Sequence, residues 1–131
     1  MTGDKNDREI LLVDDDADYC ELTRTRLESF GYQVVCASSG QEALGLLEKD
    51  LEPSLIILDL DMPEKNGLTT LINLAVRRKL KKESKKIPVV VATGLHSEQI
   101  RKTIQDQEVS GYLRKPFGCD ELIKTVKDLI G

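Results

Sequence analysis

Five polar side chains in this sequence each stand directly after a short apolar run. Glu9 to Val13 (EILLV) leads into Asp14 and Asp15, Leu55 to Leu58 (LIIL) into Asp59, Ile87 to Ala92 (IPVVVA) into Thr93, and Gly111 to Arg114 (GYLR) into Lys115. If these runs are strands of one parallel sheet, their C-terminal ends lie on one edge. Carboxylates converging there repel one another unless a cation sits between them, and a hard divalent ion with oxygen ligands, Mg2+ before others, is the natural occupant. Lys115 adds a compact positive charge and Thr93 a hydroxyl donor. With the ion, these groups would cradle the three equatorial oxygens of a phosphoryl group and leave Asp59 as the nucleophile.

The elements that must position these groups are legible in outline. Leu55 to Leu58 is unbroken and apolar, which predicts a strand buried on both faces rather than a half-exposed one. Asp59 then falls at the mouth of an open α/β sheet, where such folds bind ligands. Asp61, Met62 and Pro63 form the turn that follows, with Asn66 as a cap for the next helix. A first helix is expected from about Ala17 to Phe30, facing the core with Cys20, Thr23, Leu27 and Phe30 and stopped by Gly31. Gln33 to Ala37 reads as the second strand and Gln41 to Asp50 as the second helix. The third helix presents Leu68, Leu71, Ile72 and Ala75. The fourth, about Ser97 to Gln107, carries only Ile100 and Ile104 as large apolar residues and is weakly anchored. The fifth has an inner stripe of Cys119, Leu122, Ile123, Val126, Leu129 and Ile130. Five strands alternating with five helices imply a doubly wound parallel α/β sheet, with right-handed crossovers placing helices on both faces. Residues 1–8 read as a tail and 9–131 as one domain without linker or internal repeat.

Composition agrees with a single packed domain. The chain has 131 residues, 40% hydrophobic and 32% charged, enough to bury about two-thirds of its unfolded surface. No run approaches a membrane span and the N-terminus lacks the apolar core of a signal peptide, so a cytoplasmic protein is expected. Cys20, Cys36 and Cys119 are odd in number and set among apolar residues, which favours buried thiols over disulfides or zinc. The net charge of −4 hides a basic run, Arg77 to Lys86, with seven Lys/Arg against Glu83 and a balance of −10 elsewhere. The run lacks interleaved aromatics and the remaining surface would repel a polyanion, so it reads as a solvated helix end and loop rather than a nucleic-acid site.

Several chemistries are excluded. The first loop, Asp14-Asp15-Asp16, repels phosphate unless a metal intervenes, and no GxGxxG or GxxxxGK[ST] occurs, which argues against nucleotide or flavin binding. The single histidine, His96, has no nucleophile motif around it. Taken singly, each polar residue has a duller explanation: Asp14 to Asp16 and Thr93 as helix caps, Asp59 as a turn aspartate, Lys115 as a surface lysine. All five in this order are hard to obtain by chance.

The segments ILLVDDD, LDLDMPEKNG, VVVATG and GYLRKPF together resemble the receiver domain of two-component response regulators, over about Glu9 to Ile130. The resemblance implies a flavodoxin-like (βα)5 fold with strand order 2-1-3-4-5. It makes Asp59 the phosphoacceptor and Asp14 with Asp15 the acidic pair that holds Mg2+. Asp59 and the backbone carbonyl of Asp61 are the further metal ligands it implies. Thr93 matches the switch hydroxyl, Lys115 the lysine that contacts the phosphoryl group, and Tyr112 the aromatic that changes rotamer on activation. Lys115-Pro116 matches a bond that is usually cis in the family. Gly94 stands where alanine is commoner, which opens space beside the site, and Asp61 and Leu95 lie where the family tunes phosphoryl lifetime.

The function so implied is a phosphorylation-dependent signalling switch, mainly a signalling protein and only weakly an enzyme. A histidine kinase or phosphotransfer protein would donate the phosphoryl group. Output would run through a downstream protein docked on the face of the fourth helix, fifth strand and fifth helix, with the chain a monomer or a phosphorylation-promoted dimer. No direct nucleic-acid or membrane partner is expected, and with no helix-turn-helix or catalytic domain after Gly131 the output would come from docking to another protein unless the chain is a piece of a longer regulator or hybrid kinase. The competing readings are a haloacid dehalogenase-like phosphatase using Asp59 and Asp61 as its DxD pair, and a binding module that is never phosphorylated. Against the former, that motif normally sits on the first strand, and no cap segment exists here to bind a substrate.

Overall fold

The computed structural model describes residues 8–49, 51–63, 66–81, 87–94, 98–107 and 109–131. Along the chain run β1 (Glu9–Val13), α1 (Ala17–Glu28), β2 (Gln33–Ala37), α2 (Gly40–Glu48), β3 (Leu55–Asp59), α3 (Asn66–Lys81), β4 (Val89–Thr93), α4 (Glu98–Asp106), β5 (Gly111–Arg114) and α5 (Cys119–Ile130). The strands form one parallel sheet in the order β2-β1-β3-β4-β5, as expected. After β2 the chain crosses back over β1 to begin β3, so winding reverses between β1 and β3, and the crevice of a doubly wound sheet opens at that point.

The strands β1 to β4 divide their side chains between two core layers, because successive residues point to opposite faces. One layer combines Ile10, Leu12, Ile57 and Leu113 with Leu27 of α1 and Leu122 and Val126 of α5. The other combines Leu11, Val13, Ile56, Leu58 and Val91 with Leu47 of α2, Leu71 and Leu74 of α3 and Ile104 of α4. With both faces covered, β3 and β4 are buried along their whole length, which is why their sequences are continuous apolar runs rather than alternating ones.

Four expectations are corrected. Phe30 is 44% exposed, because α1 ends at Glu28 and the chain turns through Gly31 at φ 94°; Tyr32, 3% exposed, fills the core instead. In α3, Ile72 faces outward and Leu74 is buried, so the inner stripe runs one position away from the expected one and leaves Ile72, Val76 and Leu80 on the outside. The fourth strand begins at Val89 rather than Ile87, with the Pro88 carbonyl already accepting from the Ile56 amide at 3.0 Å. Of the cysteines, all free, Cys20 is buried but Cys36 and Cys119 are only half-buried.

Two arginines of the basic run bind the protein itself: Arg77 reaches the Leu47 carbonyl at 3.4 Å and Glu48 at 3.7 Å, and Arg78 the Ile87 carbonyl at 2.8 Å. Residues 82–86 of that run, most of the expected tail, Leu95, His96 and the expected helix start at Ser97 lie outside the described residues. Among the described residues, no helix is long and apolar enough to cross a membrane.

Candidate functional site

Strand register decides which chain ends meet. Val13 pairs with Leu58, Asp59 with Ala92, and Thr93 with Arg114. Asp14 and Asp59 are thus side by side one step past a paired position, and Thr93 and Lys115 extend the same edge. Gly67 holds α3 against this edge: a Cβ there would stand 2.5 Å from Leu60 Cα and 2.6 Å from the Asp59 carbonyl oxygen. No larger residue fits without moving the backbone next to Asp59.

Asp14 and Asp59 are each 4% exposed, and each is shaped by a local hydrogen bond two residues on. Asp14 Oδ1 accepts from the Asp16 amide at 2.9 Å, and Asp59 Oδ1 from the Asp61 amide at 2.9 Å. Asp15 is exposed and points into the same cleft, and one oxygen from each of Asp14, Asp15 and Asp59 lies within 4.8 Å of the others. Asp16 leaves the cluster to cap α1, accepting from the Tyr19 amide at 3.1 Å. The expected cap and the expected acidic pair therefore both exist, on successive residues.

The Lys115 ammonium lies 3.0 Å from Asp59 Oδ1 and 3.7 Å from Asp14 Oδ2. Burial works against its charge, but the Asp59 hydrogen bond and the nearby carboxylates outweigh that and hold it above its usual pKa. Asp14 is pushed up from 3.8 to about 6, first by burial and then by the negative charge of Asp59, against the opposing pull of the Asp16 amide and Lys115. Three carboxylates and one ammonium leave an excess of negative charge in a half-closed cleft. The donor set is all oxygen and converges on one point, so the residues present fit a hard divalent cation of the Mg2+ or Mn2+ type.

Thr93 is fully buried, and its hydroxyl donates to Asp61 Oδ1 at 2.5 Å, while the Gly94 amide donates to Asp61 Oδ2 at 2.8 Å. The sequence reading gave Asp61 a metal-binding backbone carbonyl and a place where phosphoryl lifetime is tuned, with its side chain as half of a DxD pair in the competing phosphatase reading; the hydrogen bonds of that side chain to Thr93 and Gly94 were not anticipated. The space expected beside Gly94 is small, since a Cβ there would meet Asp61 Oδ2 at 3.5 Å and Lys115 Cβ at 3.8 Å. Tyr19 was also missed. Its ring lies under the Lys115 ammonium at 4.6 Å and meets Phe117 edge-on at 5.8 Å. The signal was its place one helical turn past Asp15, on the face of α1 that looks at the site. The Lys115-Pro116 bond is cis. Tyr112 stands apart from the cluster, on β5, with its side chain 43% exposed.

The family model described as response regulator receiver domain matches residues 10–127. The transcriptional regulatory protein CpxR of Escherichia coli K12 is 35% identical over 121 residues, covering 92% of this chain and 48% of that protein. This chain thus spans about half the length of the curated relatives it matches. A CheY-like receiver domain from Methanospirillum hungatei JF-1 superposes with a TM-score of 0.79 at 26% identity, covering 92% of this chain and 91% of that one. The Mn2+-bound form of response regulator Rcp1 superposes with a TM-score of 0.72 at 29% identity, covering 92% and 90%.

Proposed function

The chain belongs to the response regulator receiver domains, and from that premise we propose that it is a phosphoacceptor switch in which Asp59 takes a phosphoryl group from the phosphohistidine of a histidine kinase or phosphotransfer protein. The observation that carries this reading is the Lys115 ammonium 3.0 Å from Asp59, in a cleft where Asp14 and Asp15 bring two more carboxylates to the same point. An Asp59 oxygen attacks phosphorus in line, the P–N bond to the donor imidazole breaks, and the imidazole leaves with its electron pair and takes a proton from solvent. Asp14, Asp15, Asp59 and the Asp61 carbonyl would hold Mg2+, which when bound neutralises developing charge on the phosphoryl oxygens. Lys115 stays charged throughout, because its pKa is held above an already high value, and it supplies the second positive contact to the transferred group.

The exposed Tyr112 and the narrow apolar stripe of α4 support a readout at the face formed by α4, β5 and α5, where a downstream protein or a second phosphorylated copy would dock. Both Asp61 oxygens accept hydrogen bonds, one from Thr93 at the end of β4 and one from the Gly94 amide just after it, which counts against Asp61 acting as the acid/base of a phosphatase.

The test uses a small acyl or amido phosphate with Mg2+ and intact-mass detection. One phosphoryl group is expected on the wild type and none on Asp59→Asn or in EDTA. A mass gain that persists in Asp59→Asn, or forms equally well in EDTA, would overturn the reading.

A further inference from the structure

We propose that the Asp61 carboxylate is an internal competitor of the phosphoryl group, occupying in the unmodified protein the two donors, at the end of β4 and just after it, that would detect phosphorylation. The proposal rests on the phosphoacceptor reading of Asp59 and concerns how that event is registered.

Asp61 is tied at both ends. Its amide donates to Asp59 Oδ1 at 2.9 Å, and its two carboxylate oxygens accept from the Thr93 hydroxyl at 2.5 Å and the Gly94 amide at 2.8 Å. One residue therefore bridges the acceptor carboxylate and the end of β4 with three hydrogen bonds, each of them made to a carboxylate oxygen. A carboxylate presents two anionic oxygens in a plane, and a phosphoryl group on Asp59 would present anionic oxygens to the same side of the cleft, on which Asp59, Lys115 and Thr93 converge. The Thr93 hydroxyl has one proton to give, and it is already given. Asp61 itself is exposed, so its carboxylate is able to swing into solvent when a more highly charged neighbour repels it, and water then satisfies the oxygens it withdraws.

Phosphorylation in this chain is accordingly an exchange of acceptors. The Thr93 hydroxyl and Gly94 amide pass from one anion to another, and the switch registers only the difference between the two sets of bonds. Without Asp61 the Thr93 hydroxyl and the Gly94 amide would lose this acceptor in the resting state and respond to the phosphoryl group with more of the new interaction. Asp61 is thus a positioning residue acting through Thr93 and Gly94, and it sets the threshold of the switch.

The experiment compares wild type, Asp61→Ala, Thr93→Val and the double variant, using beryllofluoride with saturating Mg2+ as the phosphoryl mimic. Asp61→Ala keeps the backbone carbonyl and, at an exposed position, the fold. We expect it to bind beryllofluoride about tenfold more tightly than wild type, the scale of one charge-assisted hydrogen bond. Removing a negative charge also favours an anion without any exchange of donors; that part survives in the Thr93→Val background, whereas the competitive part does not, so the gain there should fall to about threefold or less. Equal gains in both backgrounds, or none in either, overturn the proposal. Hydrogen exchange at the Gly94 amide in metal-free, unphosphorylated protein gives a readout independent of Asp59 chemistry. Faster exchange in Asp61→Ala is expected, and unchanged exchange would overturn the bridge. Should wild type fail to bind beryllofluoride while Gly94 behaves as expected, the phosphoacceptor reading fails and the bridge stands.

Discussion

The centre of the sheet and its far edge are built to different standards. At the centre, β1 and β3 are flanked by strands on both sides, Leu11, Val13 and Leu58 are fully buried, and Asp14 and Asp59 are held by hydrogen bonds from the turns behind them. At the edge, β5 has a single strand neighbour, only Leu113 of its four residues is buried, and Tyr112 lies largely in solvent. The helix between, α4, anchors itself through Ile104, with Ile100 half-buried. A nucleophile that must meet a phosphorus atom in line needs a rigid mount, whereas an element that must report the event needs a second arrangement of nearly equal free energy. The difference in packing is the division between chemistry and readout.

The contrast breaks first under large-to-small substitution. Leu58→Ala removes a fully buried side chain one residue before Asp59 and should cost about 4 kcal/mol, whereas Ile104→Ala, on the weakly anchored helix, should cost about 2 kcal/mol. Urea denaturation of both variants measures the gap. Equal costs would mean that α4 is as firmly packed as the central strands.

A smaller effect separates the two regions by pH. In the metal-free protein the folded-state pKa of Asp14, about 6, lies above its ordinary value of 3.8, so the folded state holds the proton more tightly. Asp14 then contributes full stability below about pH 4 and loses that contribution as pH rises through about 6, a change of about 3 kcal/mol. Thermal melts of wild type against Asp14→Asn in EDTA should converge on the acid side and separate towards neutrality, with the wild type the less stable there. Saturating Mg2+ should erase the separation, since a cation offsets the crowding. Curves that stay parallel would show that the acidic cluster carries no such strain.

Legibility in the sequence followed the same division. β3 and β4 were readable because burial on both faces writes itself as an uninterrupted apolar run, and Asp59 and Thr93 were readable because each ends such a run. Phe30 and Ile72 were misplaced because helical periodicity carries no information about where a helix stops or about a shift of one position in its inner stripe; the turn at Gly31 and the packing of Leu74 decide those points. The order of the strands came from resemblance, since alternation of strand and helix is compatible with several windings. Tyr19 and the hydrogen bonds of the Asp61 side chain to Thr93 and Gly94 escaped because they depend on the directions in which side chains leave a turn and a helix, which spacing alone does not state.

The central claim is that events at Asp59 reach the edge of the sheet through the loop after β4. Its most direct test is amide hydrogen exchange across the whole chain, free and with beryllofluoride and Mg2+. The account predicts altered protection in the turns bearing Asp14, Asp59 and Lys115 and also through residues 95 to 113, which include α4 and Tyr112. Changes confined to those three turns, with residues 95 to 113 unaltered, would contradict it.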